Sequence, residues 1–271
     1  MNLELELYQI ALLVAGAINY LIAIALLHNN IWYRIYDVYF RSRIIVAINY
    51  LIFGTGFLMH YCLQWRDQWP LAATALSVSY FHIGAVLFGW SHTSLLRPDY
   101  LSPRIVLRDM MILAAGLTAY WTTAIFPLYN LSLPAYILQL QYFIFFIHAG
   151  FIASIFYRTY FQVRRELMSL PTDTVEQHWW TPETKRMVLH RHHSFIIASN
   201  LIVLFGLGSI VVTALLPRAI WPYTLLLVAG IAVFIYIFYS LSEYGTVIES
   251  ASCATEDVIL QRDKQQKNLN K

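Results

Sequence analysis

The sequence predicts an all-α integral membrane bundle of seven transmembrane helices. Of 271 residues, 59% are hydrophobic and only 12% charged, whereas about a quarter are charged in soluble domains. The apolar residues gather in seven runs, each of about 20 residues and so able to cross a hydrocarbon core of about 30 Å at about 1.5 Å rise per residue. Proline and the cationic residues collect between those runs.

The predicted spans cover residues 7–27, 44–63, 71–95, 110–130, 135–157, 195–216 and 221–241, and so bounded they contain no Asp, Glu, Lys or Arg. Glu4 and Glu6 precede the first run where a signal peptide would be basic, and no small-residue cleavage site follows it, so it is read as a retained helix. Pro70, Pro98, Pro103, Pro134, Pro171, Pro182, Pro217 and Pro222 fall in connectors or at helix starts, where a missing N–H costs little, and only Pro127 lies inside a run. Glycine instead sits within the runs. Ala149 with Ala153, and Gly150 with Ser154, place small residues at four-residue spacing on the fifth span, the pattern of close helix packing in lipid. Residues 1–244 form the predicted bundle; residues 245–271 read as a polar tail, one short helix or a disordered end.

Charge sets the expected orientation. The connectors after the first, third and fifth spans, with the tail, hold 16 of the 18 Lys and Arg, leaving Arg66 and Arg218 for the other side. The positive-inside rule then puts the N-terminus outside and the C-terminus in the cytosol. Cys62 and Cys253 fall on opposite sides and form no disulfide framework. Trp65, Trp69, Tyr129, Tyr136, Trp221 and Tyr223 mark an outer aromatic belt, and Trp32, Tyr33, Tyr36, Tyr39, Trp179 and Trp180 an inner one. The outer connectors are too short for an external ligand-binding domain, so a ligand must enter the bundle itself. The polar stretch 158–194 is the enlarged cytosolic connector: the fifth helix continues past Arg158 to Leu167, and Thr181-Pro182-Glu183 opens the next as N-cap, N1 proline and acidic first turn.

Several functions are disfavoured. The basic residues flank spans and leave no nucleic-acid footprint. The first lysine is Lys185, in a connector, so no span offers an amine for a retinal Schiff base. No internal repeat supports the inverted-repeat plan of many transporters, and no carboxylate lies within the predicted spans. Ser91-His92, and Cys62 near His60, supply nucleophile and base types without a recognisable third group, which favours a non-enzymatic reading. His190, His192 and His193 at a helix start, with His178 nearby, read as interface flanks and not as a metal site.

Histidine is the ionisable type left inside the spans. His82 and His148 lie roughly 16 and 19 Å from the outer ends of the third and fifth helices, at nearly one depth. Two imidazoles at one depth could ligate a haem iron or metal, form a buried hydrogen-bonded switch, or simply bond between helices; no resident cofactor is expected. Gln141 lies two turns before His148 on the same face, and Asn19 sits at internal depth on the first helix. Asn19, His82, Gln141 and His148 are therefore the expected ligand-binding layer, with Ser79 and Thr55 nearby. Arg164, Arg165, Lys185 and Arg186 on the enlarged connector are the expected partner-binding residues.

The runs Tyr39-Phe-Arg-Ser-Arg-Ile-Ile-Val-Ala-Ile-Asn-Tyr50, Ser79-Tyr-Phe-His-Ile-Gly-Ala-Val-Leu-Phe-Gly-Trp-Ser91 and Tyr100-Leu-Ser-Pro-Arg104 resemble the N-terminal seven-helix membrane domain of regulatory proteins from Bacteroides-type bacteria. Arg191-His-His-Ser-Phe195, leading to Leu215-Leu-Pro-Arg218, resembles that domain's penultimate helix. The resemblance, over roughly residues 1–245, implies a domain that passes a signal to a cytosolic output, an AraC-type helix-turn-helix or a histidine kinase. The stretch after Tyr244 is too short and too polar for such an output, so DNA binding is not carried over. The expectation is a multi-pass sensor or signalling module of the bacterial inner membrane, acting on a cytosolic or membrane partner and compatible with a homo-oligomer. A transporter or channel subunit comes second, and a b-type cytochrome or intramembrane enzyme third. Reporter fusions at Asp263 should behave as cytoplasmic and those at Asp67 as external; the reverse pattern would overturn the topology.

Overall fold

A computed structural model of the chain describes residues 3–28, 37–126, 135–169, 182–216 and 219–269, and their side chains except at 37, 135–141, 166, 167, 169, 182–185, 187–189, 214, 215 and 246–269. Eight α-helices follow in order: α1 (Leu3–His28), α2 (Asp37–Leu63), α3 (Trp65–Gln68), α4 (Pro70–Leu96), α5 (Pro103–Ile125), α6 (Ala135–Ser169), α7 (Pro182–Leu215) and α8 (Ile220–Leu269). A single 3-10 turn at Pro98–Tyr100 joins α4 to α5, and no strand occurs among the described residues. Seven of the helices, all but α3, are long and apolar enough to cross a membrane, the pattern of a multi-pass membrane protein.

The helix starts follow local chemistry. Pro70 and Pro103 occupy the first turn of α4 and α5, where a fixed φ helps and a missing N–H costs nothing. Gln64 takes the left-handed conformation, φ 49°, and turns the chain sharply from α2 into α3; a non-glycine residue there costs about 1–2 kcal/mol. At the other end of the bundle Arg43, buried within α2, donates from a guanidinium nitrogen to the Leu26 carbonyl at 2.8 Å. It answers one of the carbonyls that the last turn of α1 leaves without a partner.

Two helices begin well before the spans that the sequence reading placed on them: α2 at Asp37 and α5 at Pro103, against 44 and 110, so both take in charged residues, among them Arg41, Arg43, Arg108 and Asp109. Polar side chains that bond within the bundle let a helix continue where hydropathy alone suggests a connector. Beyond the spans, α6 runs to Ser169 and α7 starts at Pro182, while α8 continues without a break to Leu269, so the polar tail is an extension of the last helix.

The bundle is built around α4. Of its most apolar window 78% is buried, against 22% in α5 and in α6, and it packs against α2, α3, α5, α6 and α7. A helix enclosed on all sides needs small residues where neighbours come close, and α4 supplies Ala72, Ala73, Ala75, Ser77, Gly84 and Gly89. Beside it, α1 packs mainly on α2 and α8. An aromatic cluster of Phe53, Phe57, Tyr80, Phe81, Phe88 and Phe234 fills the centre, mostly in tilted or edge-to-face pairs with centroids 4.7–6.4 Å apart. The outer surface is apolar as well: Leu107, Met111, Ile147, Leu204 and Val228 are exposed, a belt too large for a surface in water.

Glycine marks where that packing is tightest. A Cβ at Gly56 would meet the Tyr80 ring at 2.5 Å, and Tyr80 is held among Phe53, Phe57 and Phe81. A Cβ at Gly206 would meet nothing within 4 Å. Gly56→Ala should therefore destabilise by about 1–3 kcal/mol, whereas Gly206→Ala should be neutral or stabilise by up to about 1 kcal/mol through helix propensity. Thermal unfolding in detergent checks the contrast, and equal effects would contradict the packing.

Candidate functional site

A chain of buried polar side chains crosses from α5 through α4 and α6 and back to α5. The Tyr120 hydroxyl lies 2.9 Å from His82 Nδ1, and His82 Nε2 lies 2.9 Å from His148 Nδ1. His148 Nε2 faces Asp109 Oδ1 at 3.5 Å, long for a hydrogen bond but close for a charge contact. Trp90 Nε1 donates to Asp109 Oδ2 at 2.7 Å, and Arg108 Nε donates to Oδ1 at 2.8 Å. All four members are enclosed, with relative exposures of 1% for Tyr120, 0% for His82, 2% for His148 and 0% for Asp109.

The acid at one end fixes the protons along the whole chain. A carboxylate only accepts, so the nitrogen of His148 that faces it, Nε2, is the one that carries hydrogen. In a neutral ring Nδ1 of His148 is then an acceptor, which makes His82 Nε2 the donor across the 2.9 Å bond. His82 Nδ1 in turn accepts from the Tyr120 hydroxyl. The opposite order would set a lone pair of His148 against the carboxylate. Gly116 makes room for this arrangement: a Cβ there would stand 3.0 Å from the His82 ring and 3.1 Å from the Tyr120 oxygen.

Sequence reasoning placed His82 and His148 at one depth, and the structure brings them into contact. Asn19 is buried on α1, but its amide donates to the Ala15 carbonyl of its own helix at 2.8 Å, and no recorded contact joins it to the imidazoles. The Gln141 side chain lies outside the described residues, as does that of Lys185. Ser79 donates to the Ala75 carbonyl within α4, and Thr55 pairs with Tyr20 on an exposed face. Arg164 is half-buried at the end of α6, and Arg165 and Arg186 are exposed on α6 and α7.

Two readings are corrected. The fourth span does contain a carboxylate: Asp109, one residue before the predicted start, is fully enclosed in α5. His192 is not an interface flank but a buried ring stacked on Tyr160, with centroids 4.4 Å apart; His178 lies outside the described residues. His82 Nε2 and His148 Nδ1 stand at hydrogen-bond distance, 2.9 Å. Ser91 with His92, and Cys62 with His60, are not paired. Ser91 Oγ donates to the Ser42 carbonyl while His92 turns to Phe88, and His60 bonds Ser77 while Cys62 is exposed.

Beside the polar chain lies a cavity of about 170 Å³ among α2, α4, α6, α7 and α8, lined chiefly by phenylalanines and small residues. Phe145 belongs to both features: it lines the cavity, and its ring meets the edge of His82 with centroids 5.3 Å apart. Near the α4–α5 turn, burial first and then the Asp109 charge push the Tyr100 phenol above its ordinary value. No family model, curated protein or solved structure matches this chain.

The proton order is testable. Nitrogen NMR of 15N-histidine-labelled protein should show both His82 and His148 with a proton on Nε2, and Asp109→Asn should disturb both rings. Asp109→Ala, which leaves the buried Trp90 N–H without its acceptor, should cost about 1–3 kcal/mol. A neutral His82 protonated on Nδ1 would overturn the scheme.

Proposed function

We propose that the chain is a multi-pass sensor or signalling module of a bacterial inner membrane, with its N-terminus outside and its C-terminus in the cytosol. The observation that carries this reading is the position of the cavity. It lies against α6, α7 and α8, and these are the helices that outrun a bilayer: at 35, 34 and 50 residues they are about 50, 50 and 75 Å long, against a core of about 30 Å. An occupant of the cavity thus bears directly on the helices that project beyond it. A change of their spacing would be carried past the membrane surface, where Arg164, Arg165 and Arg186 would meet a partner. The resemblance to the membrane domains of Bacteroides-type regulators agrees with this.

A proton-coupled transporter is the second reading, and Asp109 favours it. A buried acid joined through two imidazoles to a phenol, over the 11 residues or roughly 16 Å that separate Asp109 from Tyr120 on α5, is a run of exchangeable protons of the kind transporters use. Proton uptake into proteoliposomes that disappears in Asp109→Asn would decide for it.

The sensor reading is tested without knowing the stimulus. Gly206→Leu places a side chain in the cavity and so imitates occupancy. Spin labels at Arg165→Cys and Arg186→Cys, in a Cys62→Ser, Cys253→Ser background, report the distance between the projecting ends of α6 and α7. Gly206→Leu should shift that distance distribution by several ångströms in nanodiscs, and superimposable distributions would remove the sensor reading.

A further inference from the structure

We infer that the cavity is a binding site for an uncharged, lipid-soluble molecule with a compact apolar body and one hydroxyl group, which donates to His92 Nε2. The inference rests on the sensor reading for its purpose, but its chemistry comes from the cavity alone.

His92 sits on α4 with 3% of its surface exposed and lines the cavity. Its Nδ1 is 2.9 Å from the Phe88 carbonyl oxygen. A carbonyl only accepts, so Nδ1 carries the ring proton, and in the neutral imidazole Nε2 is left as a lone-pair acceptor. Nε2 has no hydrogen-bond partner among the described residues, while Phe195 stacks on the ring at 4.9 Å between centroids and holds it in place. A ligand hydroxyl entering the cavity would supply the donor that Nε2 lacks, a net gain of about 1 kcal/mol.

The rest of the lining narrows the class. Its other polar side chain, Ser199, already gives its proton to the Phe195 carbonyl at 2.9 Å, so it too has only acceptor capacity left. Among the described residues no cationic side chain lines the cavity, which disfavours carboxylates and phosphates, and none offers a free donor for a ketone or ester carbonyl. Size is informative as well. A cavity of about 150 Å³ lined by apolar residues accepts benzene, so about 170 Å³ suits a single substituted ring or a short branched chain. Entry is lateral: Gly150 on α6 and Leu207 on α7 line the cavity and are also exposed on the lipid-facing surface. A Cβ at Gly150 or at Gly206 would meet nothing within 4 Å, so the room beside these glycines is not closed by a neighbour.

The test uses thymol and p-cymene, a matched pair that differs by one hydroxyl, with the full chain in detergent and empty micelles as the partition background. By equilibrium dialysis the wild type should bind thymol about five-fold more tightly than p-cymene, the gain of one net hydrogen bond. His92→Phe should bind the two equally, and Gly206→Leu should bind neither. In 15N-histidine-labelled wild type, thymol should move the His92 Nε2 signal and p-cymene should not, a readout that stands if His92→Phe does not fold. Equal affinities in the wild type would mark an apolar void filled by any lipid chain and would overturn the proposal, as would binding that persists in Gly206→Leu. Hydroxyl-selective binding with unchanged α6–α7 distances removes the sensor reading and keeps the site; shifted distances without selectivity do the reverse.

Discussion

The fold depends on one constraint: α4 is enclosed by other helices, so each polar atom it carries must be answered from within the bundle or remain without a partner. The answers are spread along its length. Near its first turns Ser77 accepts from Arg66 of α3 at 3.2 Å and meets His60 of α2 at 3.0 Å, while Arg66 also donates to Tyr8 of α1 and lies over the Tyr223 ring of α8 at 3.4 Å. In the middle His82 meets Tyr120 and His148, and further on Trp90 meets Asp109. Toward the other end Ser91 and Ser94 pair with Ser42 of α2. Hydrophobic burial cannot choose between rotations of a helix that is apolar on every side, because no face gains over another. These polar pairs can, since each misplaced one leaves a buried group unsatisfied.

The same constraint explains why a carboxylate is tolerated in α5. An isolated charge in such surroundings would be neutralised or expelled. Asp109 instead receives an indole N–H, an arginine and the edge of an imidazole, and Arg108 reaches it from the partly exposed side of the helix, with Phe151 beneath its guanidinium at 4.6 Å. A buried pair of this kind adds little stability compared with an apolar substitute, but removing one member is costly. Its structural effect is directional. Because the acid cannot donate, it orders the proton positions of His148, His82 and Tyr120 in turn, and Gly116 keeps α5 close enough for that order to reach across three helices.

How much of this was legible in the sequence depends on which physical scale carried the signal. Seven apolar runs give the helices, and helix rise alone sets His82 and His148 at one depth. Helix rotation is a property of the packed bundle, so that their rings touch, or that Asn19 bonds within its own helix, could not be read from spacing. Asp109 was missed for a definable reason. Hydropathy placed the start of the fourth span at Met110, since Arg104, Arg108 and Asp109 are costly in lipid when taken singly, whereas the adjacent pair Arg108-Asp109 is nearly neutral and can be buried together. The adjacency was the available sign. His192 illustrates the opposite error: histidine at a helix start reads as an interface flank, whereas its ring has an aromatic partner in Tyr160. The cavity had no sequence signature, because it is a lack of side-chain volume where α4, α6 and α7 meet.

Cavity and polar chain lie on two sides of one seam. Phe145 on α6 touches His82 on one side and borders the cavity on the other, and His82 and His148 form the bond that closes α4 against α6. A body entering between α6 and α7 would border Phe145, whose ring meets His82. Under the sensor reading, the response to occupancy is then not a smooth spreading of helices but the loss or retention of one 2.9 Å hydrogen bond, and packed interiors favour such alternatives over gradual deformation. Under the transport reading the same contact sets whether the proton order runs unbroken from Tyr120 to Asp109. Both proposed readings therefore turn on a single joint, the fit of Phe145 between the cavity and His82.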